Sequence, residues 1–325
     1  MNSRHLPLIA TIVVFVLGYL YCMLQFPGFA STRVLGNLLT DNAFIGITAV
    51  GMTFVIISGG IDLSVGSVIA FTGVFLAAAI GWWGVHPLAA FMLALGLATA
   101  FGAAMGWVIH HLDMPPFIVT LAGAFLARGI GFVITTDSIP VGHDFYATLG
   151  DIAVRLPGGG RLTFVAMILL AVTLAGIVLA HFTRFGANVR ALGGSRSSAE
   201  LMGVPIAATT IRVYALSGLL AGIAGIVFSL YTSAGYPLAA VGVELDTIAA
   251  VVIGGTLLTG GAGYVFGTFI GTLIQGLIQT YITFEGTLSS WWTKIVVGLL
   301  LLLFILLQRG LTHLAERRAA AAAGL

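Results

Sequence analysis

The chain has 325 residues, of which 59% are hydrophobic and only 7% are charged. A soluble globular protein spends about 25% of its residues on charge, so 13 Lys and Arg with 11 Asp and Glu cannot clothe a water-facing surface. Together with a mean hydropathy of +1.12, this excludes a cytosolic enzyme, a nucleic-acid binder and a disordered chain, and leaves a polytopic membrane protein.

Ten apolar segments are candidates for crossing the bilayer: roughly 6–24, 43–58, 63–83, 88–109, 115–135, 162–181, 211–230, 246–259, 264–282 and 291–307. A crossing needs about 20 apolar residues, so the second and eighth are short. All must be helices, because lipid offers backbone N–H and C=O groups no other partner. The first follows Arg4, is longer than the apolar core of a signal peptide and precedes no small-residue cleavage site, which predicts a retained span. Single-sided glycine rows at Gly102 and Gly106, at Gly218 and Gly222, and at Gly263, Gly267 and Gly271 predict close helix crossings.

Basic residues set the orientation. With both termini in the cytoplasm, the inside holds Arg4, Arg184, Arg190, Arg196, Arg212, Arg309, Arg317 and Arg318. The outside then holds Arg33, Arg155, Arg161 and Lys294. Eight against four favours that arrangement, and an even number of spans follows. Trp82, Trp83, Trp291 and Trp292 would then form an outer aromatic belt. The outer loop 136–161 carries Pro140, Pro157 and Gly158-Gly159-Gly160. The inner loop 182–210 has its own helix signals: Ser197 and Glu200 match a capping box for a helix at about 197–202, ended by Gly203 and Pro205, and a second helix is expected at about 184–192. Its two readings are a self-capping interfacial loop and a docking segment. An Asp opens both the third and the eighth segment, Asp62 and Asp246, which suggests two inverted halves around a transport pathway.

Asp62 follows Gly59 and Gly60, where the backbone can break. It either caps the next helix with Ser64 or lines a solute path, since ionisable groups at membrane depth usually serve function. Asn42 and Ser64 are polar candidates at similar depth. Glu244 and Asp246 read as carboxylates at a helix start. Arg128, inside a span, is expected to pair with an acid or to snorkel. His110, His111 and Asp113 precede Pro115 and Pro116 and read as a turn rather than a metal site. Cys22 is the lone cysteine, so neither a disulfide nor a thiolate cluster is built within the chain. Lys294, the only lysine, follows Trp291-Trp292-Thr293 and not a glycine loop, so no phosphate-binding P-loop is present. No nucleophile motif points to catalysis, and no cofactor or metal is expected.

The stretch Gly51 to Ser67, GMTFVIISGGIDLSVGS, resembles the signature of ribose-type sugar permeases of ABC importers. So do Pro116-Phe117-Ile118-Val119-Thr120-Leu121 with Arg128-Gly129, Thr183-Arg184-Phe185-Gly186, and Ser289-Ser290-Trp291-Trp292-Thr293-Lys294. Within that family, Gln25 to Arg33 and Phe284 to Ser290 are similar to a permease of the bacterial galactofuranose importer.

The resemblance implies a single all-α permease domain over 1–325 in the bacterial inner membrane. It implies half of a translocation pathway, completed by a second like or unlike permease. A periplasmic sugar-binding protein would deliver a monosaccharide, and a separate ATP-binding subunit would use the ATP. Gly59, Gly60, Asp62, Ser64 and Asn42 become pathway candidates. Arg184, Arg190, Gly193, Gly194, Ser195, Ala199, Glu200 and Gly203 fall in what resembles the family's ATPase-coupling segment. The family usually has Asn at the place of Ser195 and a small residue near Glu200, which bears on partner specificity. The competing expectation is a stand-alone carrier driven by an ion gradient through Asp62.

Overall fold

The computed structural model describes residues 6–322. Arg4 lies outside the described residues, as do the side chains of Arg309, Arg317 and Arg318.

Apolar runs bounded by prolines and by hydroxyl or imidazole caps fold into helices almost throughout. α1 (Leu6–Gln25) leads to α2 (Thr32–Asp41) and α3 (Ala43–Ile57), a pair bent by 56° at Asn42. α4 (Val65–Gly81), α5 (Pro87–His111) and α6 (Pro116–Ile134) follow. Pro87 and Pro116 each sit in the first turn of their helix, where a missing N–H costs nothing. The 136–161 segment is ordered rather than a plain loop. It contains β1 (Ile139–Pro140), α7 (Asp144–Asp151) and β2 (Ala153–Arg155), and β2 pairs with β3 (Arg161–Thr163) as a hairpin. α8 (Phe164–Phe182) is capped by Thr163, whose hydroxyl accepts from the Ala166 amide at 3.3 Å.

Two short helices, α9 (Arg184–Gly194) and α10 (Arg196–Leu201), occupy most of the 182–210 segment. The cap of α10 is Ser195, whose Oγ accepts from the Ser198 amide at 3.3 Å, not the expected Ser197–Glu200 box. α11 (Ile206–Thr232) starts five residues earlier than expected. β4 (Ala234–Gly235) then pairs antiparallel with β1, and α12 (Val243–Ile253), α13 (Val265–Glu285) and α14 (Trp291–Ala322) complete the described chain.

Each of the ten expected segments contains a helix, although the eighth ends at Ile253 rather than 259, and the expected count of crossings is not reached by length. Among the described residues seven helices are long and apolar enough to cross a membrane, or eight if the bent α2–α3 pair is one span. α4 has 17 residues and α12 only 11, a rise of about 16 Å for the latter.

The core is organised on α11, which packs against α3, α4 and α5. A methyl group on Gly102 of α5 would collide with the Tyr214 carbonyl of α11, and one on Gly218 would collide with the Ala98 carbonyl. Lipid supplies no hydrophobic drive between helices, so this close backbone packing holds the pair together. Gly267 and Gly271 bring α13 equally close to α12, while Gly263 lies ahead of α13 and belongs to a turn. At the other end of α11, Tyr146 of α7 meets Ser229 at 3.2 Å, and burial pushes the tyrosine hydroxyl up to about 12.

Among the described residues Arg128 forms no ion pair of the kind expected. Its guanidinium donates to the carbonyls of Pro237 at 2.6 Å and Ala239 at 3.2 Å, and to Ser67 Oγ at 3.3 Å. Those carbonyls belong to the non-helical turn that leads into α12, and inside a bilayer they need a donor that lipid cannot supply.

Candidate functional site

Two helices end the same way. At the end of α3, Gly59 N–H donates to Ile56 O at 2.9 Å and Gly60 N–H to Val55 O at 3.0 Å. At the end of α12, Gly255 N–H donates to Val252 O at 2.9 Å and Thr256 N–H to Val251 O at 3.2 Å. Gly59 has φ +88° and Gly255 φ +90°. Both are Schellman caps, which need a residue in the left-handed region that only glycine enters freely. The symmetry therefore matches α3 with α12. It does not match Asp62 with Asp246: Asp62 follows the first cap, while Asp246 lies in the first turn of α12, ahead of the second. Asp246 is paired with Lys294 of α14 at 2.5 Å.

The segments after the two caps meet. The Gly261 amide donates to the Ile57 carbonyl at 2.8 Å. Between them lies the C-terminal end of α9. A methyl group on Gly193 would collide with the Ile57 carbonyl and the Gly261 amide at once, and Gly260 and Gly261 pack on Gly193 and Gly194. α9 is also tied to α8, because Arg190 donates to the Ala180 carbonyl at 2.5 Å. Its N-cap is Thr183, which accepts from the Gly186 amide at 3.3 Å. Arg184, Ser195, Glu200 and Gly203 are exposed and Ala199 is fully buried. Gly203 closes α10 with φ +78°. Leu201 beside it is 90% exposed.

Asp62 lies just beyond the first cap and is fully buried. Its Oδ1 accepts from the Ser64 amide at 2.9 Å and Ser64 Oγ at 2.6 Å, and its Oδ2 accepts from Ser217 Oγ at 2.7 Å. Ser64 makes no side-chain cap on α4. Asp62 thus fastens the broken segment to α11. In front of it, Gly59 and Gly60 line a cavity of about 320 Å³ with His110, Arg196 and Tyr214. Asn42 is elsewhere. It sits in the bend between α2 and α3, donates to the Leu38 carbonyl at 2.9 Å and packs on Gly276. It lines a second cavity of about 280 Å³ with Asp246, Gln275, Gln279 and Lys294.

The structure thus brings Gly59, Gly60, Asp62 and Ser64 together and leaves Asn42 apart. It adds Ser217 and Tyr214, which sequence reasoning missed. Their signal was present: Tyr214, Ser217, Gly218, Ala221 and Gly222 recur at helical spacing on one side of α11.

The family described as "Branched-chain amino acid transport system / permease component" matches residues 34–305. The chain is 64% identical over 318 residues to the inner membrane ABC transporter permease protein YjfF of Escherichia coli (strain K12), covering 98% of this chain and 96% of that one. It is 37% identical to the fructose import permease protein FruG of Bifidobacterium longum (strain NCC 2705), over 95% of this chain and 92% of that one. It is 39% identical to the ribose import permease protein RbsC of Escherichia coli (strain K12), over 87% of both.

Proposed function

The chain belongs to this family of transport-system permease components, and from that membership we propose that it is the membrane-spanning permease of an ATP-driven monosaccharide importer. The observation that carries the reading is the alignment, along most of both chains, with permeases named for the import of ribose and of fructose. The solute we assign is galactofuranose or a related sugar, from the likeness at 25–33 and 284–290. The chain forms half of the pathway and a second permease forms the rest. A periplasmic binding protein delivers the sugar, and a separate ATP-binding subunit supplies the power. The membrane is the bacterial inner membrane, with both termini in the cytoplasm.

α9 and α10 are the docking segment for the ATPase. Two features support that role. Leu201 and Met202 are 90% and 71% exposed, an apolar knob on a short helix. Gly193 rests on both helix breaks, so a displacement of α9 reaches α3 and α12 together. The stand-alone carrier has no such support, since both oxygens of Asp62 are engaged by serine groups.

The test is recovery of the tagged chain from native membranes in mild detergent, followed by uptake of labelled sugars by the recovered complex. An ATPase, a second permease and ATP-dependent uptake of a monosaccharide are expected. Uptake by this chain alone, without ATP, would overturn the reading.

A further inference from the structure

The cavity beside the first break holds polar groups that the packing does not use. Tyr214 is 2% exposed, yet its hydroxyl has no hydrogen-bond partner. It faces Gly60 so closely that a methyl group there would collide with it. Asp62 does not serve it here, its oxygens bonding Ser64 and Ser217 instead. His110 Nδ1, at the end of α5, is also buried without a partner. Both residues line the same cavity of about 320 Å³, with Ser58, Gly59, Gly60 and Thr210. At its edge Arg196 is paired with Asp113 at 3.6 Å, so the charges there balance.

Buried polar groups without partners are rare, and packing alone would be served as well by Phe at 214. A cavity of this size stands at the small end of the range for ligand sites, about 300–1,000 Å³. It suits one small ring better than an acyl chain. Its unused groups are a hydroxyl and an imidazole nitrogen, which bind neutral hydroxyl groups. Arg196, the cation at the edge, is shared with Asp113, which disfavours a phosphate.

We propose that this cavity is a monosaccharide subsite on the α9–α10 face, in which Tyr214 Oη and His110 Nδ1 hydrogen-bond the sugar before release. The proposal rests on the sugar-permease reading and adds to it where solute is held and by which groups. Gly59 and Gly60 form one wall and Leu192 of α9 another. The wedge of α9 on the first break therefore also shapes the subsite.

The experiment uses the complete importer in proteoliposomes, fed by its binding protein. Uptake is followed while the same free sugar is raised on the ATP side. Sugar on that side is expected to slow uptake. Tyr214→Phe is nearly isosteric and removes only the hydroxyl, so it should raise the half-inhibitory concentration about fivefold, as loss of one neutral hydrogen bond does. His110→Ala should act in the same direction. A purely structural role for these groups would leave that concentration unchanged. An unaltered importer insensitive to sugar on the ATP side would overturn the proposal. So would unchanged inhibition in both variants, or stronger inhibition by the sugar phosphate. An importer that moves no sugar at all would overturn the functional reading itself.

Discussion

Burying a carboxylate between helices is costly unless its oxygens are bonded, and Asp62 meets that condition across two elements. Ser64 holds it locally and Ser217 ties it to α11. Leaving a buried hydrogen-bonding group without its partner costs about 1–3 kcal/mol, so Ser217→Ala should destabilise the protein by about that much. The check is the thermal unfolding midpoint in detergent, which should fall. Combining it with Asp62→Ala should cost less than the sum of the two single changes, because both remove the same bond. Additive losses would show that the Asp62–Ser217 bond contributes nothing. Asp62 was legible in the sequence because two glycines announce a break before it. Ser217 was not, because one serine in an apolar run reads as a tolerated substitution until a partner from a distant segment is known.

α9 and α10 were legible as helices but not as a lever. Stops are local signals, so Gly203 and Pro205 bounded the end of the pair well, whereas the Thr183 cap emerged only from the structure. Ser197 was expected as the cap, and Ser195 takes that place: both have a hydroxyl, and only the backbone angle at Ser195 decides. The contact of Gly193 with Ile57 and Gly261 joins residues far apart in the chain and leaves no local trace. Two variants separate docking from transmission. Leu201→Asp places a charge on the exposed knob, and the ATPase should then be lost from the purified complex. Gly193→Ala leaves the knob intact but pushes α9 off the breaks, so the ATPase should remain bound and active while uptake falls about tenfold or more, the scale of a lost coupling between sites. Normal uptake by Gly193→Ala would remove the lever from the account. Arg196→Ala, by contrast, breaks an ion pair whose members are 54% and 87% exposed, and should change stability little.

Across the molecule, α1 and α14 both meet the end of α12. Thr11 near the start of α1 donates to the Ile253 carbonyl, and Gln308 of α14 donates to the carbonyls of Val252 and Thr256. The segment those groups belong to is the one α9 rests on, so both ends of the bundle lie on the α9 side. The arginine count addresses only which side of the membrane that face takes, and it could not weigh α12, whose lead-in turn is held by Arg128. Charge predicts which side that face takes: Arg184, Arg190, Arg196 and Arg212 all belong to or adjoin α9–α11 there, and an excess of basic residues favours the cytoplasm. Cys22 is buried, so it adds little background to labelling of introduced cysteines. Leu201→Cys, at a position 90% exposed, should react with an impermeant maleimide only in inside-out vesicles. Trp83→Cys, where Trp83 is 56% exposed beyond the far end of α4, should react only in right-side-out vesicles. The reverse pattern would place α9 and α10 outside the cell, beyond reach of any ATPase, and both the docking role and the release-side subsite would fall with it.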